Sequence, residues 1–293
     1  MSGRAQDEDP DARGRIHISD EETRLLREII EEHCGVAGSS DLAFRLERRL
    51  GGRLRALGIP SFLDYYHYLR FDENGPFELD ECVELINTHE TYFFREQFQL
   101  DVFTRDVLPS LTRGEGSHRP LAFWSAGCST GEEAYTIAIL LREQPSLREW
   151  KLRVVGSDIS RKVLDVARAG VYTESSFRTT SPAIRARYFE PVTGGYRVIE
   201  PVRRMCSFRQ LNLLRTADYR DVGRFDVIFC RNVLMYLTPA ARHQIVEAFH
   251  DTLTPGGFLL LGHSESLLNV HTRFETVQFG QDIVYQRPTG DAP

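Results

Sequence analysis

Four short stretches of this chain end in residues that could hold a nucleoside. The first, WSAGCSTGEEA, carries Gly127 and Gly131, which let a backbone turn tightly and come close to a ligand. The second, LRVVGSD, ends on Asp158, whose carboxylate can accept hydrogen bonds from ribose hydroxyls. The third, MCSFRQLNL, presents Asn212, and the fourth, FDVIFCRN, presents Arg231 and Asn232. Each has a plainer explanation: tight turns need glycine anyway, and Asp158 would equally cap a following helix. What is missing narrows the ligand. The glycine fingerprint is not a full G-x-G-x-x-G, and Asp158 lies 27 residues after Gly131, where a dinucleotide site would place an acidic residue about 20 residues on. No G-x-x-x-x-G-K-[ST] string occurs either. A nucleoside ligand without a pyrophosphate fits best. The five cysteines (Cys34, Cys82, Cys128, Cys206, Cys230) lack C-x-x-C spacing, which suits reduced thiols and gives no metal site.

These four ends must be positioned by strands. From Leu121 onward, the runs LAFWSAG, LRVVGSD, MCSFRQLNL, FDVIFCRN and GFLLLGHSE alternate with helical patterns. One helix is expected from near Glu132 to near Gln144, one over RKVLDVARAG, and one from near Pro239 through ARHQIVEAF. Strands separated by 10–15-residue helical patterns imply parallel pairing through right-handed crossovers. The binding crevice of such a sheet lies beyond the carboxyl ends of its strands. RFETVQF and DIVYQR, joined through Gly280, read as a terminal antiparallel pair. The fold class is therefore α/β, a doubly wound sheet with an antiparallel edge.

The front of the chain reads differently. Residues 1–14 offer almost nothing to bury and are expected to form a disordered tail. Ser19 and Glu22 have capping-box spacing ahead of a helix whose stripe is Leu25, Leu26, Ile29 and Ile30, with Gly35 as its terminator. In the next helix Leu42, Leu46, Leu50, Leu54 and Leu57 share one face, while Arg45, Arg48, Arg49, Arg53 and Arg55 occupy most of the other. Gly51 and Gly52 cost about 2 kcal/mol together relative to alanine, which allows a local break there. Further helices are expected from Ser61 over FLDYYHYLR, from Pro76 to about Asn87, and from about Thr91 to Leu111, before the TRGEGSHRP linker. No strand signal precedes residue 120.

The formal net charge of −6 argues against a general nucleic-acid binder. The sequence has no run of 18 apolar residues and its N-terminus lacks an apolar signal region. A soluble, cytoplasmic protein is expected, with no membrane insertion and no feature that calls for more than a monomer.

The strings HETYFFRE, WSAGCSTGEEAYTIAILL, SDIS-x-x-VLDVARAGVY, FDVIFCRNVLMYL and PGGFLLLGHSESL resemble, in order and spacing, the CheR family of chemoreceptor glutamate methyltransferases. The resemblance extends from about Ser19 to Arg287. It implies a helical N-terminal domain (15–88) that docks on receptor, and an S-adenosylmethionine-binding class I, Rossmann-like methyltransferase domain (89–288). A small β-subdomain insertion is expected near 191–210. Carried over residue by residue, it places His89 (often Asn in the family), Thr91 and Arg95 near the cofactor. Glu133 is preferred to Glu132 for its 25-residue spacing to Asp158. Asp158 would hold the ribose, and Asn212 with Leu213 and Arg231 with Asn232 would line the remaining pocket. Arg95 and Tyr236 match residues at the reacting centre. The implied substrate is the cytoplasmic domain of a methyl-accepting chemoreceptor.

That chemistry needs no proton acceptor, because a glutamate side chain with a pKa of about 4.3 is already ionised near pH 7. The expected roles are Arg95 as anchor of a substrate or cofactor carboxylate and Tyr236 as the hydroxyl that positions the target. Plainer readings are a surface helix arginine paired with an acid and a core aromatic in VLMYL. His263 is expected to satisfy a local hydrogen bond, and Cys128 and Cys230 to pack as small apolar groups. The arginine face Arg45–Arg55 is either an ordinary solvated surface or a basic docking face for an acidic receptor helix. In some family members the β-subdomain binds a receptor tail peptide. The segment here is shorter, so no peptide dependence is expected. Two alternatives stay open. A DNA amino-methylating enzyme of the same fold would show [DN]-P-P-[YF] where this chain has Asn232-Val-Leu-Met-Tyr236. A regulatory module would bind cofactor without turnover.

Overall fold

The computed structural model describes residues 16–87, 90–113, 119–268, 270–280 and 282–290. The expected tail at 1–14, His89, and positions 114–118 of the expected linker lie outside the described residues. The chain forms two units, Met1–Asn87 and Thr88–Pro293.

The first unit is helical: α1 (Asp20–Cys34), α2 (Leu42–Leu57), α3 (Phe62–Phe71) and α4 (Gly75–Ile86). Both halves of the Ser19–Glu22 capping box form, and Gly35 ends α1 in the left-handed region at φ 74°. Leu26, Ile29 and Ile30 are buried, and Leu25 is only half-buried. Helix α2 runs unbroken through Gly51 and Gly52. The reason is quantitative. Leu46, Leu50 and Leu54 span the glycine pair and are fully buried, and each contributes about 1.5–3 kcal/mol, more in sum than the glycines cost.

The second unit is built on a seven-stranded sheet. Its strands are β1 (Leu121–Ala126), β2 (Leu152–Asp158), β6 (Cys206–Gln210), β7 (Phe225–Cys230), β8 (Leu253–Leu261), β9 (Glu275–Phe279) and β10 (Asp282–Gln286). They lie in the order β6-β2-β1-β7-β8-β10-β9. The first five in chain order pair in parallel, and β10 pairs antiparallel with both β8 and β9. Helices α7 (Glu132–Arg142), α8 (Arg161–Ala169) and α11 (Pro239–Thr252) are the crossovers. Every residue of β1 and β7 is buried, as parallel strands covered on both faces require. The order reverses at β1, with β2 on one side and β7 on the other, and this defines the crevice.

Two expectations change. Residues 92–96 are not helical; the helix begins as α5 (Gln97–Val102) and passes through a π-helical turn, Phe103–Val107, into α6 (Leu108–Thr112). Phe94 and Glu96 adopt positive φ, 60° and 54°, while the adjacent Phe93 and Phe94 are both buried. Phe93 packs on Tyr172, Phe177 and Phe189, and the Phe94 amide donates to Thr136 Oγ1 at 3.2 Å. These anchors hold the stretch away from helical geometry. The small sheet also lies earlier than the 191–210 expected. It joins β3 (Val171–Tyr172), β4 (Phe189–Val192) and β5 (Gly195–Val198) in the order β3-β5-β4, with α9 (Pro182–Tyr188) between β3 and β4. After α10 (Glu200–Arg203), Cys206–Gln210 belongs to the main sheet as its edge strand.

Candidate active site

Glycine shapes the turn after β1. Gly127 sits at φ 81°, and a Cβ there would fall 2.5 Å from Val233 Cγ2, so the loop after β1 packs directly on the loop after β7. The amides of Gly127 and Cys128 both donate to Ser157 O at 2.8 Å, tying the same turn to β2. Ser129 follows at φ 49°. Its amide donates to Asp158 Oδ2 at 2.9 Å, and its buried hydroxyl has no hydrogen-bond partner among the described residues. Asp158 Oδ1 accepts from the Ser160 amide at 3.0 Å. The cap of α8 is Ser160, whose hydroxyl accepts from Val163 N, so Asp158 is not the N-cap that its position allowed. It stands at the strand end with its carboxylate fixed by two backbone amides.

The end of β6 lies beside it. Leu211 N donates to Asp158 O at 2.9 Å. Asn212 is buried, and its Oδ1 accepts from Leu214 N at 3.0 Å. Leu213 is half-buried, and its carbonyl accepts from Tyr219 Oη at 2.6 Å.

On the other side of β1 a charged network fills the crevice. The Arg231 side chain is only 2% exposed. It donates to Gln99 Oε1 at 2.8 Å, Glu133 Oε2 at 3.1 Å, Arg95 O at 2.6 Å and Glu96 Oε2 at 3.3 Å. Such a fork of donors can satisfy four acceptors on three elements at once, which no lysine could do. Glu133 also accepts from Ser125 Oγ at 2.6 Å. Glu132 points elsewhere: it is buried and accepts from Thr130 and Ser176 hydroxyls at 2.6 and 2.9 Å. Burial pushes its carboxyl pKa up. Of the two, Glu133 is the one joined to Arg231.

Glu96 was not singled out in the sequence, although it closes the HETYFFRE string. Its carboxylate accepts from Asn232 Nδ2 at 3.1 Å and from the His263 amide at 3.0 Å, besides Arg231. Burial pushes its pKa up, but these hydrogen bonds and the Arg231 and Arg95 charges outweigh it and hold the carboxyl below its ordinary value. Glu265 was also missed, within LGHSES. It accepts from four backbone amides: Gly262, Asn232, Val233 and Met235.

Arg95 lies in the loop before α5, not on a helix. Its Nη1 donates to Glu90 O at 2.7 Å, and its guanidinium is 5.7 Å from the Tyr92 ring centroid. Thr91 is half-buried at the start of that loop. Tyr236 closes a short 3-10 turn, Leu234–Tyr236, after β7. It is 51% exposed, which removes the core-aromatic reading. The exposed His263 meets Phe98 edge-on at 5.1 Å between ring centroids. Cys128 and Cys230 are fully buried, and burial pushes both thiols far above their ordinary pKa. Among the described residues, the four non-glycine residues with positive φ are Phe94, Glu96, Ser129 and Asn232. All four lie in these loops, where backbone strain of about 1–3 kcal/mol each is held by the surrounding contacts.

The residues fit the cofactor that the strand ends suggested. Fixed carboxylates at Asp158 and Glu133, amides at Asn212 and Asn232, and the unpartnered Ser129 hydroxyl form a donor and acceptor set suited to a nucleoside and an amino-acid moiety. The fold and this set define a Rossmann-like domain whose crevice suits a nucleoside-type cofactor.

Family comparison agrees. Residues 89–283 match the family described as "CheR methyltransferase, SAM binding domain", and residues 21–87 match "CheR methyltransferase, all-alpha domain". The chain is 34% identical over 278 residues to "Chemotaxis protein methyltransferase 2" of Vibrio cholerae, covering 93% of this chain and 95% of that protein. It is 34% identical over 268 residues to "Chemotaxis protein methyltransferase 1" of Pseudomonas aeruginosa, covering 89% and 96%. It is 32% identical over 257 residues to the "Chemotaxis protein methyltransferase" of Borreliella burgdorferi, covering 86% and 90%. The chain belongs to the CheR methyltransferase family.

The helical unit carries the five arginines singled out for docking. Arg45 Nη2 donates to Ile86 O at 2.5 Å, and Arg49 Nη1 donates to Leu85 O and Asn87 O, both at 3.0 Å. Both therefore cap the carbonyl end of α4, where cations are favoured. Arg53 forks onto the buried Glu78, with Nε to Oε1 at 2.9 Å and Nη2 to Oε2 at 2.5 Å. Arg48 and Arg55 are exposed. The basic face is thus largely occupied within its own unit. Among the described residues no helix is long and apolar enough to cross a membrane.

Proposed function

We propose that this protein methylates glutamate side chains on the cytoplasmic helices of chemoreceptors, forming methyl esters. The observation that carries the reading is the pairing, at one crevice, of a fixed acceptor set with an exposed hydroxyl. Asp158 and Asn232 stand at strand ends, Glu133 lies in the first turn of α7, and Tyr236 stands exposed on the turn that follows Asn232.

S-adenosylmethionine supplies an electrophilic methyl group on a sulfonium whose departure needs no protonation. The chain's own residues then have to bind and orient. Asp158 holds ribose hydroxyls, while Glu133 and Asn232 hold the amino-acid end. Asn212, Leu213 and Thr91 complete the cofactor surroundings. Arg95 anchors a carboxylate from the loop before α5, and Tyr236 donates a hydrogen bond to the acceptor glutamate. No side chain has to remove a proton, because the acceptor is ionised near pH 7. Alignment alone can lower the barrier by up to about 7–11 kcal/mol. In the helical unit, receptor docking falls to the exposed Arg48 and Arg55. Activity is independent of a receptor tail peptide.

The test is methyl transfer from labelled S-adenosylmethionine to a purified chemoreceptor cytoplasmic fragment, followed by mild alkali. Label released as volatile methanol is expected. Alkali-stable label would move the acceptor to nitrogen or sulfur, and cofactor binding without any label would favour a regulatory module. Tyr236→Phe is expected to lower kcat about ten-fold, the loss of roughly one hydrogen bond to a charged group.

A further inference from the structure

Glu265 has no role in the functional reading above, yet it holds the backbone on which that reading depends. Its two carboxylate oxygens accept four amide hydrogens. Oε2 takes those of Asn232 at 2.7 Å and Gly262 at 2.8 Å; Oε1 takes those of Val233 at 2.9 Å and Met235 at 3.1 Å. Three of the four donors lie in one stretch, from the left-handed Asn232 (φ 59°) to the residue before Tyr236. The carboxylate that gathers these amides helps hold Asn232 in the left-handed region, together with the side-chain hydrogen bond from Asn232 Nδ2 to Glu96.

The arrangement is built for the carboxylate from the other side as well. Gly262 O accepts from Glu265 N at 2.9 Å, closing a turn that folds the side chain back. A Cβ on Gly262 would lie 2.8 Å from Glu265 Oε2 and 2.9 Å from Asn232 N. Gly262 is not at positive φ, so its need for glycine is the space the carboxylate takes, not its backbone conformation.

We infer that Glu265 is a positioning residue for the acceptor: by binding the amides of Asn232, Val233 and Met235 it sets where the Tyr236 hydroxyl stands. The inference rests on the reading of Tyr236 given above. Glutamine at 265 keeps the size but offers one acceptor oxygen, and turns an NH2 toward two amide donors. Alanine at 262 leaves Glu265 intact and displaces its carboxylate. Both variants therefore disturb the same turn by different routes.

The full-length chain, wild type, Glu265→Gln and Gly262→Ala, should be compared by amide hydrogen exchange over residues 232–236, by S-adenosylhomocysteine affinity, and by methanol-releasing turnover on the chemoreceptor fragment. Exchange over this stretch is expected to accelerate about ten-fold or more in both variants. Turnover should fall about thirty-fold, with KM for the fragment changing less than kcat. In a Tyr236→Phe background the same substitutions should cost only about three-fold, because both act on one hydroxyl. Unchanged exchange, or an equal loss of turnover with and without the Tyr236 hydroxyl, would overturn the inference. A wild-type chain that binds cofactor but releases no methanol would instead refute the functional reading, and the exchange result would still decide whether Glu265 sets this turn.

Discussion

Replacing Arg53 by alanine should destabilise the helical unit before it affects any encounter with a receptor. Glu78 is 4% exposed, and its carboxylate is held by the Arg53 fork and by the Tyr65 hydroxyl at 2.8 Å. Removing one partner of a wholly buried ion pair costs about 3–5 kcal/mol, most of it the uncompensated charge left behind. Here the Arg53 side chain is 34% exposed, so water reaches the vacated space, and the Tyr65 hydroxyl still donates. A loss of about 2–3 kcal/mol follows.

The assay is amide exchange on α2 and α4 peptides in the full chain, which reports this unit's opening without assuming a single two-state transition for both units. A loss of that size speeds exchange through global opening of the unit by about thirty- to a hundred-and-fifty-fold. The double variant Arg53→Met, Glu78→Gln should recover most of it, since no charge is left buried and the introduced amide oxygen can still accept from Tyr65. Wild-type exchange in Arg53→Ala, together with a raised KM for the chemoreceptor fragment, would refute this reasoning and return Arg53 to the docking face.

Three further outcomes are expected. Glu96 has a lowered carboxyl pKa in the folded chain, so its stabilising effect is fully present above the unfolded value of about 4.3 and is lost as pH falls through the folded one. The thermal midpoint of the wild type should therefore drop more steeply than that of Glu96→Gln below about pH 4.5, and parallel curves would contradict the assignment. Gly127→Ala should weaken cofactor binding, measured by calorimetry, because its Cβ would fall 2.5 Å from Val233 Cγ2 at a backbone φ of 81°; unchanged affinity would show that the two loops move apart freely. Ser19→Ala should loosen the first turn of α1 by about 1 kcal/mol, read as faster amide exchange there alone.

The strand ends at Asp158 and Asn232 were legible because parallel strands buried on both faces leave apolar runs that stop where the backbone emerges. The capping box at Ser19 was legible for a similar local reason. The TYFFR stretch was not. Its apolar residues suit a helix, and only the distant rings of Tyr172, Phe177 and Phe189 show why Phe93 leaves that path. The arginines of α2 carried the same ambiguity. Their spacing shows a polar face, but whether that face meets solvent or the end of α4 depends on a helix some thirty residues on. Glu265 was invisible as a ligand of the fold because its partners are backbone amides, which have no signature in a sequence, and Glu96 because Arg231, Asn232 and His263 all lie far along the chain from it. The small sheet was misplaced because its strands are two to four residues long, too short to show a period of two.

A carboxylate acceptor that is already ionised leaves an enzyme little to do with its own titratable groups at the moment of reaction. That explains how this site uses them. Arg231, Glu96 and Glu265 lie in the loops around the crevice, and each is engaged by several neighbouring donors or acceptors of the chain. Their charges hold loops in place, including the strained turns at Glu96 and Asn232, and so fix distances that the chemistry requires. Lone pairs already taken by backbone amides also stay out of competition for the methyl group. The groups left with freedom to meet an acceptor are the exposed Tyr236 and the partly exposed Arg95. On this view the charged residues that look catalytic by burial and pairing are the scaffold, and the reactive contacts come from the two that are least enclosed.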